Sequence, residues 1–202
     1  MLGVLFKGLR KIINILVNYI YNPLGHLIFI LNDVKIKSGF SVSGFMKVHI
    51  TRRGVVNIGE NFKVNSGDHN LIGRQQKTIF WVEGNLTIGD NVGISSTAII
   101  CNYKISIGNN VTIGGNTVIY DSDFHNLDPL LRRNKFNDKI SSIKLPVIIE
   151  NDVFIGAHST VLKGVKIGQN SIIGACSVVT KSVPSNEIWG GNPARFIKSL
   201  DV

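Results

Sequence analysis

Cysteine is nearly absent from this sequence: 202 residues contain two, Cys101 and Cys176. Their spacing offers no disulfide framework and no metal-ligand pair, and each falls in a six-residue unit where a small buried residue is expected. Such sparing use fits a reducing compartment, and a cytoplasmic location is expected. Charge is scarce as well, at 17%, and acids are scarcer than bases, 13 Asp and Glu against 22 Lys and Arg, for a formal charge of +9. A surface of that sign favours phosphates, acidic glycans or acidic membranes, without choosing among them; no nucleic-acid partner is expected. No apolar run reaches the about 20 residues a spanning helix needs, and no small-residue cleavage site follows an apolar core, so neither a span nor a secretory leader is read. What is present in quantity is glycine, 21 residues, beside 44% hydrophobic residues. That balance points to many tight turns in one folded domain with a short appendage.

The appendage is residues 1–31. Leu2, Leu5, Phe6, Leu9, Ile12, Ile13, Leu16, Val17 and Ile20 recur at helical spacing, while Lys7, Arg10, Lys11, Asn14 and Asn18 fall elsewhere. This predicts a short amphipathic helix ended by Pro23. Two uses are open: packing on the end of the following domain or on another subunit, or lying in the interface of an anionic membrane.

From Ile149, every sixth residue is aliphatic: Ile155, Val161, Ile167, Ile173 and Val179. The same phase runs through Val82, Ile88, Ile94 and Ile100, then after one extra residue through Ile107, Ile113 and Ile119, and earlier through Ile58 and Val64. Units such as IGDNVG, IGNNVT and IGQNSI put the aliphatic residue and the fifth residue (Val92, Val111, Ser171) inward, with the Gly-Asn turn between them. A period this short signals a stacked solenoid, three units per triangular coil, whose stability comes from coil-on-coil stacking. The hexads resemble the hexapeptide-repeat acyltransferase family over about Val56 to Lys198. The resemblance implies an all-β fold, a left-handed parallel β-helix, here with the N-terminal amphipathic helix and one extruded loop; the expected organisation is 1–31 helix, 32–198 β-helix domain, 199–202 tail.

The scaffold alone says little about function. The departure from it says more: 30 residues separate Ile119 from Ile149 where a regular unit needs six. About 24 residues, in a catalytic loop of about 120–148, must leave the prism, carrying Asp121, Asp123, His125, Asp128, Arg132 and Arg133. A histidine titrating near neutrality can take a proton from an attacking hydroxyl.

The segment YDSDFHNLDPLLRR resembles the catalytic loop of the galactoside, maltose and polysaccharide O-acetyltransferase branch of that family, and GACSVVTKSVPSNEIWGGNPARFIK resembles its coenzyme-binding end. The resemblance implies His125 as general base in direct transfer from acetyl-CoA to a sugar hydroxyl, of a surface polysaccharide precursor above all. It implies coenzyme contacts at Ala157, Ala175, Thr180, Lys181, Arg195 and Lys198, acceptor contact at Asn65 in NFKVN, no metal, and a homotrimer that puts His125 and the acetyl-CoA groove on adjacent chains. Asp121 and Asp123 are read either as acceptor-binding and His-orienting groups or as turn formers. Peripheral contact with the inner face of a membrane is a further expectation.

Rival readings are an antibiotic or amino-sugar acetyltransferase on the same scaffold, a noncatalytic β-helix for binding or assembly, and a metal-dependent hydratase needing three His ligands from among His26, His49, His69, His125 and His158. The repeat fits all of them; the arm and the coenzyme-like terminus fit the acyl-transfer readings. Acceptor identity, O- against N-transfer, and the roles of Arg132, Arg133 and Trp189 stay open at this level.

Overall fold

The computed structural model describes residues 2–67, 72 and 76–201. A 30-residue helix, α1 (Leu2–Leu31), precedes a left-handed parallel β-helix whose strands form three sheets of six, eight and six strands. On the first face Ile58, Ile88, Ile107, Ile149 and Ile167 stand in register from coil to coil. On the second, Val42, Val64, Ile94, Ile113, Ile155 and Ile173 do so. On the third the column runs Val48, Phe80, Ile99, Ile119, Val161 and Val179. Nearly all of these side chains are buried, so the core is a stack of aliphatic layers about 4.8 Å apart.

The corners explain the polar half of each repeat. At the fourth position the backbone turns through the left-handed region, with positive φ at Asn61, Asn91, Asn110, Asn116, Asp152, His158, Asn170 and Cys176. Asn visits that region at low cost, which is why it recurs there. At one corner these side chains also bond upward, Asn61 to Asn91 at 3.0 Å, Asn91 to Asn110 at 3.1 Å and Asn110 to Asp152 at 2.9 Å. The fifth residue turns back into the core, as Val92, Val111 and Ser171 are all buried. At the second corner the coils approach so closely that a Cβ on Gly114 would lie 2.5 Å from the Ala157 amide nitrogen.

Three details depart from the periodic reading. The third-face column passes through Ile99, not Ile100: Ile99 and Cys101 are buried in the strand Ala98–Cys101 and Ile100 points outward between them. The corner from Ile94 to Ile99 is one residue short, and the missing length reappears in the turn after Cys101. Cys176 is exposed, because it occupies the left-handed corner and not an inward position. Pro23 does not end α1, which runs through it to Leu31. Tertiary contacts hold the helix beyond the proline: Phe29 is fully buried against Phe40 and Phe80, the Asn22 side chain accepts from the Val42 amide at 2.6 Å, and a Cβ on Gly25 would meet Val42 Cγ1 at 2.5 Å. This last part of α1 covers the open end of the prism. Further toward the N-terminus, Leu2, Leu5, Phe6, Leu9, Ile12, Ile13 and Ile20 are all exposed.

Asn110→Ala is expected to lower stability by about 1–2 kcal/mol, and Asn110→Gly by clearly less, because glycine keeps the backbone conformation and loses the ladder bonds alone. Thermal unfolding of the two variants checks this; equal losses would refute the backbone explanation.

Candidate active site

The arm leaves the prism after the strand Val118–Tyr120 and returns at Val147–Ile149. Its foot is anchored by polar groups. The fully buried Asp121 carboxylate accepts the Asn102 and Tyr103 amides, both at 2.7 Å. Ser122 bridges antiparallel to Lys144, and Asp123 pairs with Lys163 at 2.6 Å. Beyond the foot lie two short helices, α2 (Pro129–Arg132) and α3 (Lys135–Ser141). Each starts on a side chain that accepts first-turn amides, Asp128 and Asn134 respectively, and Pro129 suits the first helical position.

Those helices hold the histidine. Asp138 of α3 turns its Oδ2 to His125 Nδ1 at 2.7 Å and accepts the Asn126 amide on Oδ1 at 2.6 Å. Arg132 Nη1 donates to the Asn126 carbonyl at 2.8 Å, closing the same turn. The Asp138 side chain is 11% exposed, whereas the imidazole is 72% exposed. The bond to His125, then the Asn126 amide, holds the Asp138 carboxyl below its ordinary range. A carboxylate can only accept, so Nδ1 carries the hydrogen and Nε2 presents its lone pair outward. So placed, Nε2 can accept a proton while the carboxylate stabilises the resulting cation from behind.

Asp138 was not among the residues singled out by sequence. It is Asp138 that contacts the His125 ring, whereas Asp121 is bonded to backbone amides and Asp123 to Lys163. No spacing rule exposes a partner 13 residues away; its signal would have been an acid in a helix opened by Asn134. Arg132 proves to be a brace of the arm.

Beside His125 lies a cavity of about 660 Å³ between the arm and the third face. Trp81, Ile100, Tyr120 and Phe124 form its apolar wall, with Tyr120 and Phe124 edge to face at 5.1 Å. Burial raises the Tyr120 phenol. Polar groups at the cavity are Glu83, Asn102, Lys135, Lys139, Ser142 and Lys144, and one Glu83 oxygen meets both Trp81 Nε1 at 3.5 Å and Lys139 Nζ at 3.7 Å.

The other sequence-nominated residues lie apart from this cavity. Ala157 and Ala175 stack one coil above another at the second corner, where Ala157 accepts from the Cys176 amide at 2.8 Å. Among the described residues neither alanine amide donates a hydrogen bond. Thr180 and Lys181 are exposed at the following corner. Arg195 and Lys198 sit on the last strand, Arg195–Ser199, which pairs antiparallel with Glu187–Gly190. Trp189 in that hairpin donates to Glu187 at 2.6 Å and packs partly on the core. Asn65 ends a second-face strand, 3.5 Å from Ser95 Oγ, and does not line the cavity. His158 occupies a left-handed corner with a buried, unpaired Nδ1. Among the described residues no three His, Cys, Asp or Glu side chains gather as a metal-ligand set; His69 lies outside those residues.

A family model described as bacterial transferase hexapeptide (six repeats) matches residues 146–181. The chain is 35% identical over 130 residues to the galactoside O-acetyltransferase of Escherichia coli (strain K12), covering 60% of this chain and 61% of that one. WbbJ of the same organism, named for O-acetyl transfer in lipopolysaccharide biosynthesis, is 31% identical over 156 residues, 76% of either chain. Among solved structures, the N-acyltransferase AntD from Bacillus cereus, bound to dTDP-4-amino-4,6-dideoxyglucose and coenzyme A, superposes with a TM-score of 0.67 at 26% identity, covering 89% of this chain and 90% of that one. A maltose O-acetyltransferase from Clostridium difficile 630 gives 0.54 at 28% identity, with 84% and 70% covered. The chain spans 61% of the Escherichia coli galactoside enzyme and 25% of the matched Clostridium perfringens tetrahydropyridine-dicarboxylate N-acetyltransferases.

The lowered Asp138 carboxyl has a pH signature. Its stabilising contribution is present above the unfolded-state value, near pH 4, and is lost as pH falls through the lower folded value. Asp138→Asn is therefore expected to be less stable than the parent at neutral pH, with the gap closing in acid; denaturant titrations across that range measure it, and a pH-independent gap would contradict the assignment.

Proposed function

The chain belongs to the hexapeptide-repeat acyltransferase family, and from that we propose that it is an acetyl-CoA-dependent O-acetyltransferase acting on a sugar hydroxyl, with His125 as general base. The observation that carries the reading is the His125–Asp138 pair opening beside a cavity with aromatic walls. His125 Nε2 takes the proton of the acceptor hydroxyl as its oxygen attacks the thioester carbonyl carbon. A C–O bond forms, the C–S bond breaks, and the proton passes from the imidazolium to the departing coenzyme thiolate. Asp138 stabilises the imidazolium between those steps and keeps the ring in one tautomer. No covalent enzyme intermediate is needed; burial raises the Cys101 thiol far above the range of a nucleophile.

In this reading the free amides of Ala157 and Ala175 meet the acyl carbonyl and the pantetheine arm, Thr180 and Lys181 flank the same groove, and Arg195 and Lys198 neutralise phosphate. The separation of these residues from His125's cavity within one chain supports a homotrimer in which the groove of one subunit faces the arm of the next. Asn65 would reach the acceptor across the same junction. A surface polysaccharide precursor is the favoured acceptor, supported by the similarity to WbbJ. The similarity to AntD favours one second reading, transfer to an amino sugar, which the same base would serve.

His125→Ala is expected to lower acetyl transfer to sugar acceptors by about 10²–10⁴-fold and Asp138→Asn by less, both with unchanged acetyl-CoA binding. Thiol release from acetyl-CoA measures transfer; full activity in His125→Ala ends the mechanism, and loss of all coenzyme binding in the parent favours a noncatalytic module.

We further propose that α1 lies on an anionic membrane. Its exposed apolar residues accompany Lys7, Arg10 and Lys11, and the first acidic residue of the chain is Asp33. Among the described residues no helix is long and apolar enough to cross a bilayer. Phe6→Asp with Leu9→Asp is expected to abolish co-sedimentation with phosphatidylglycerol vesicles while leaving acetyl transfer to a small sugar intact; undiminished co-sedimentation would exclude α1 as the contact.

A further inference from the structure

We propose that the acceptor sugar carries a phosphate, held by Lys135 and Lys144 at the cavity beside His125. The inference rests on the reading that this cavity seats the acceptor, and it follows from an inventory of charge there. Two carboxylates and three ammonium groups line the space. Asp138 is committed to His125 and the Asn126 amide. Glu83 is shared between Trp81 and Lys139. That leaves Lys135 and Lys144 with no carboxylate within ion-pair distance among the described residues.

Unpaired lysines on an open surface are ordinary. These two line a cavity whose apolar wall is Trp81, Ile100, Tyr120 and Phe124. Apolar walls exclude water and strengthen the field of a nearby cation. Both lysines stand on anchored backbone, Lys144 through its bridge to Ser122 at the foot of the arm and Lys135 at the opening of α3. Two ammonium groups match the charge of one phosphoryl group, for which lysine is a common ligand.

Size agrees. A cavity of about 660 Å³ lies in the range that encloses a drug-sized ligand, which is more than one neutral hexose fills. The aromatic wall suits the ring of the sugar or an apolar group beyond it, and the cationic side suits the phosphate that joins them. Such a phosphate occurs both in nucleotide-linked and in lipid-diphosphate-linked sugars, and the chemistry recognised here is common to the two.

Titration calorimetry on the full chain without acetyl-CoA tests this, using methyl α-galactoside against galactose 1-phosphate, and methyl N-acetylglucosaminide against N-acetylglucosamine 1-phosphate. In at least one pair the phosphate is expected to bind about tenfold tighter or more, with the advantage shrinking as salt is raised. The double variant Lys135→Gln with Lys144→Gln is expected to bring the pair to within about twofold. UDP-linked and undecyl-diphosphate-linked forms of the same sugars then separate the sources, and further tightening by either supports the inference. Equal binding within both pairs, no binding by any of the four, or an advantage that survives the double variant overturns it. Acetyl transfer measured in parallel keeps the two readings apart. Efficient His125-dependent transfer to neutral sugars without a phosphate preference defeats this inference and leaves the acetyltransferase; phosphate-selective binding without transfer does the reverse.

Discussion

Every feature of this molecule depends on the register of parallel backbone hydrogen bonds between coils. Because Ile113 pairs with Ile155 and Ile155 with Ile173, each residue is obliged to repeat the conformation of the one beneath it. No coil has an interior of its own; the interior exists only between coils. The same rule acts at two of the corners, where a left-handed residue in one coil stacks on one in the next, and Asn, Asp, His, Cys, Ser or Gly fills that position. A chain so constrained has little freedom to build a site on its regular part, and chemistry concentrates where the register is interrupted.

The interruption is well controlled. Asp121 occupies the register position above Cys101 and spends both oxygens on the amides of the preceding coil, so the arm departs from a fixed point. From there, two capped helices bring Asp138 back to His125, and the pair is held by bonds within the arm. The prism contributes the facing wall through side chains that point outward, Trp81, Ile100 and Tyr120, aligned in one column by the strand register. The site is thus half solenoid and half arm, and Glu83 with Lys139 ties the halves together.

The fold was legible in the sequence because its period is shorter than any strand-turn-strand alternative, and a single aliphatic at every sixth place reports both the core and the turn. The period misled where a corner changed length: Ile100 was assigned inward although Ile99 takes that place. Cys176 was misassigned for a related reason, since a small residue suits both a core and a corner, and only φ distinguishes them. Pro23 looked like a helix end because local chemistry says so, yet Phe29 and Gly25 win enough contact beyond it to carry α1 through. In the site, His125 stood out by position alone. Asp138 did not, because its role arises from how a loop folds back, and nothing periodic encodes that.

The two ends of the prism have a bearing on assembly. A parallel β-helix ends in open strand edges, each a template for another coil or another molecule. Here one end is roofed by the last turns of α1, with Phe29 over the aromatic layer of Phe40 and Phe80. At the other end the chain reverses, and Arg195–Ser199 runs antiparallel to Glu187–Gly190. A strand of opposite sense does not present the repeating register, so on this face the parallel stacking of coils stops there. The molecule is therefore a segment of a potentially endless rod, and its finite length is enforced at two places by elements that break the rod's own symmetry.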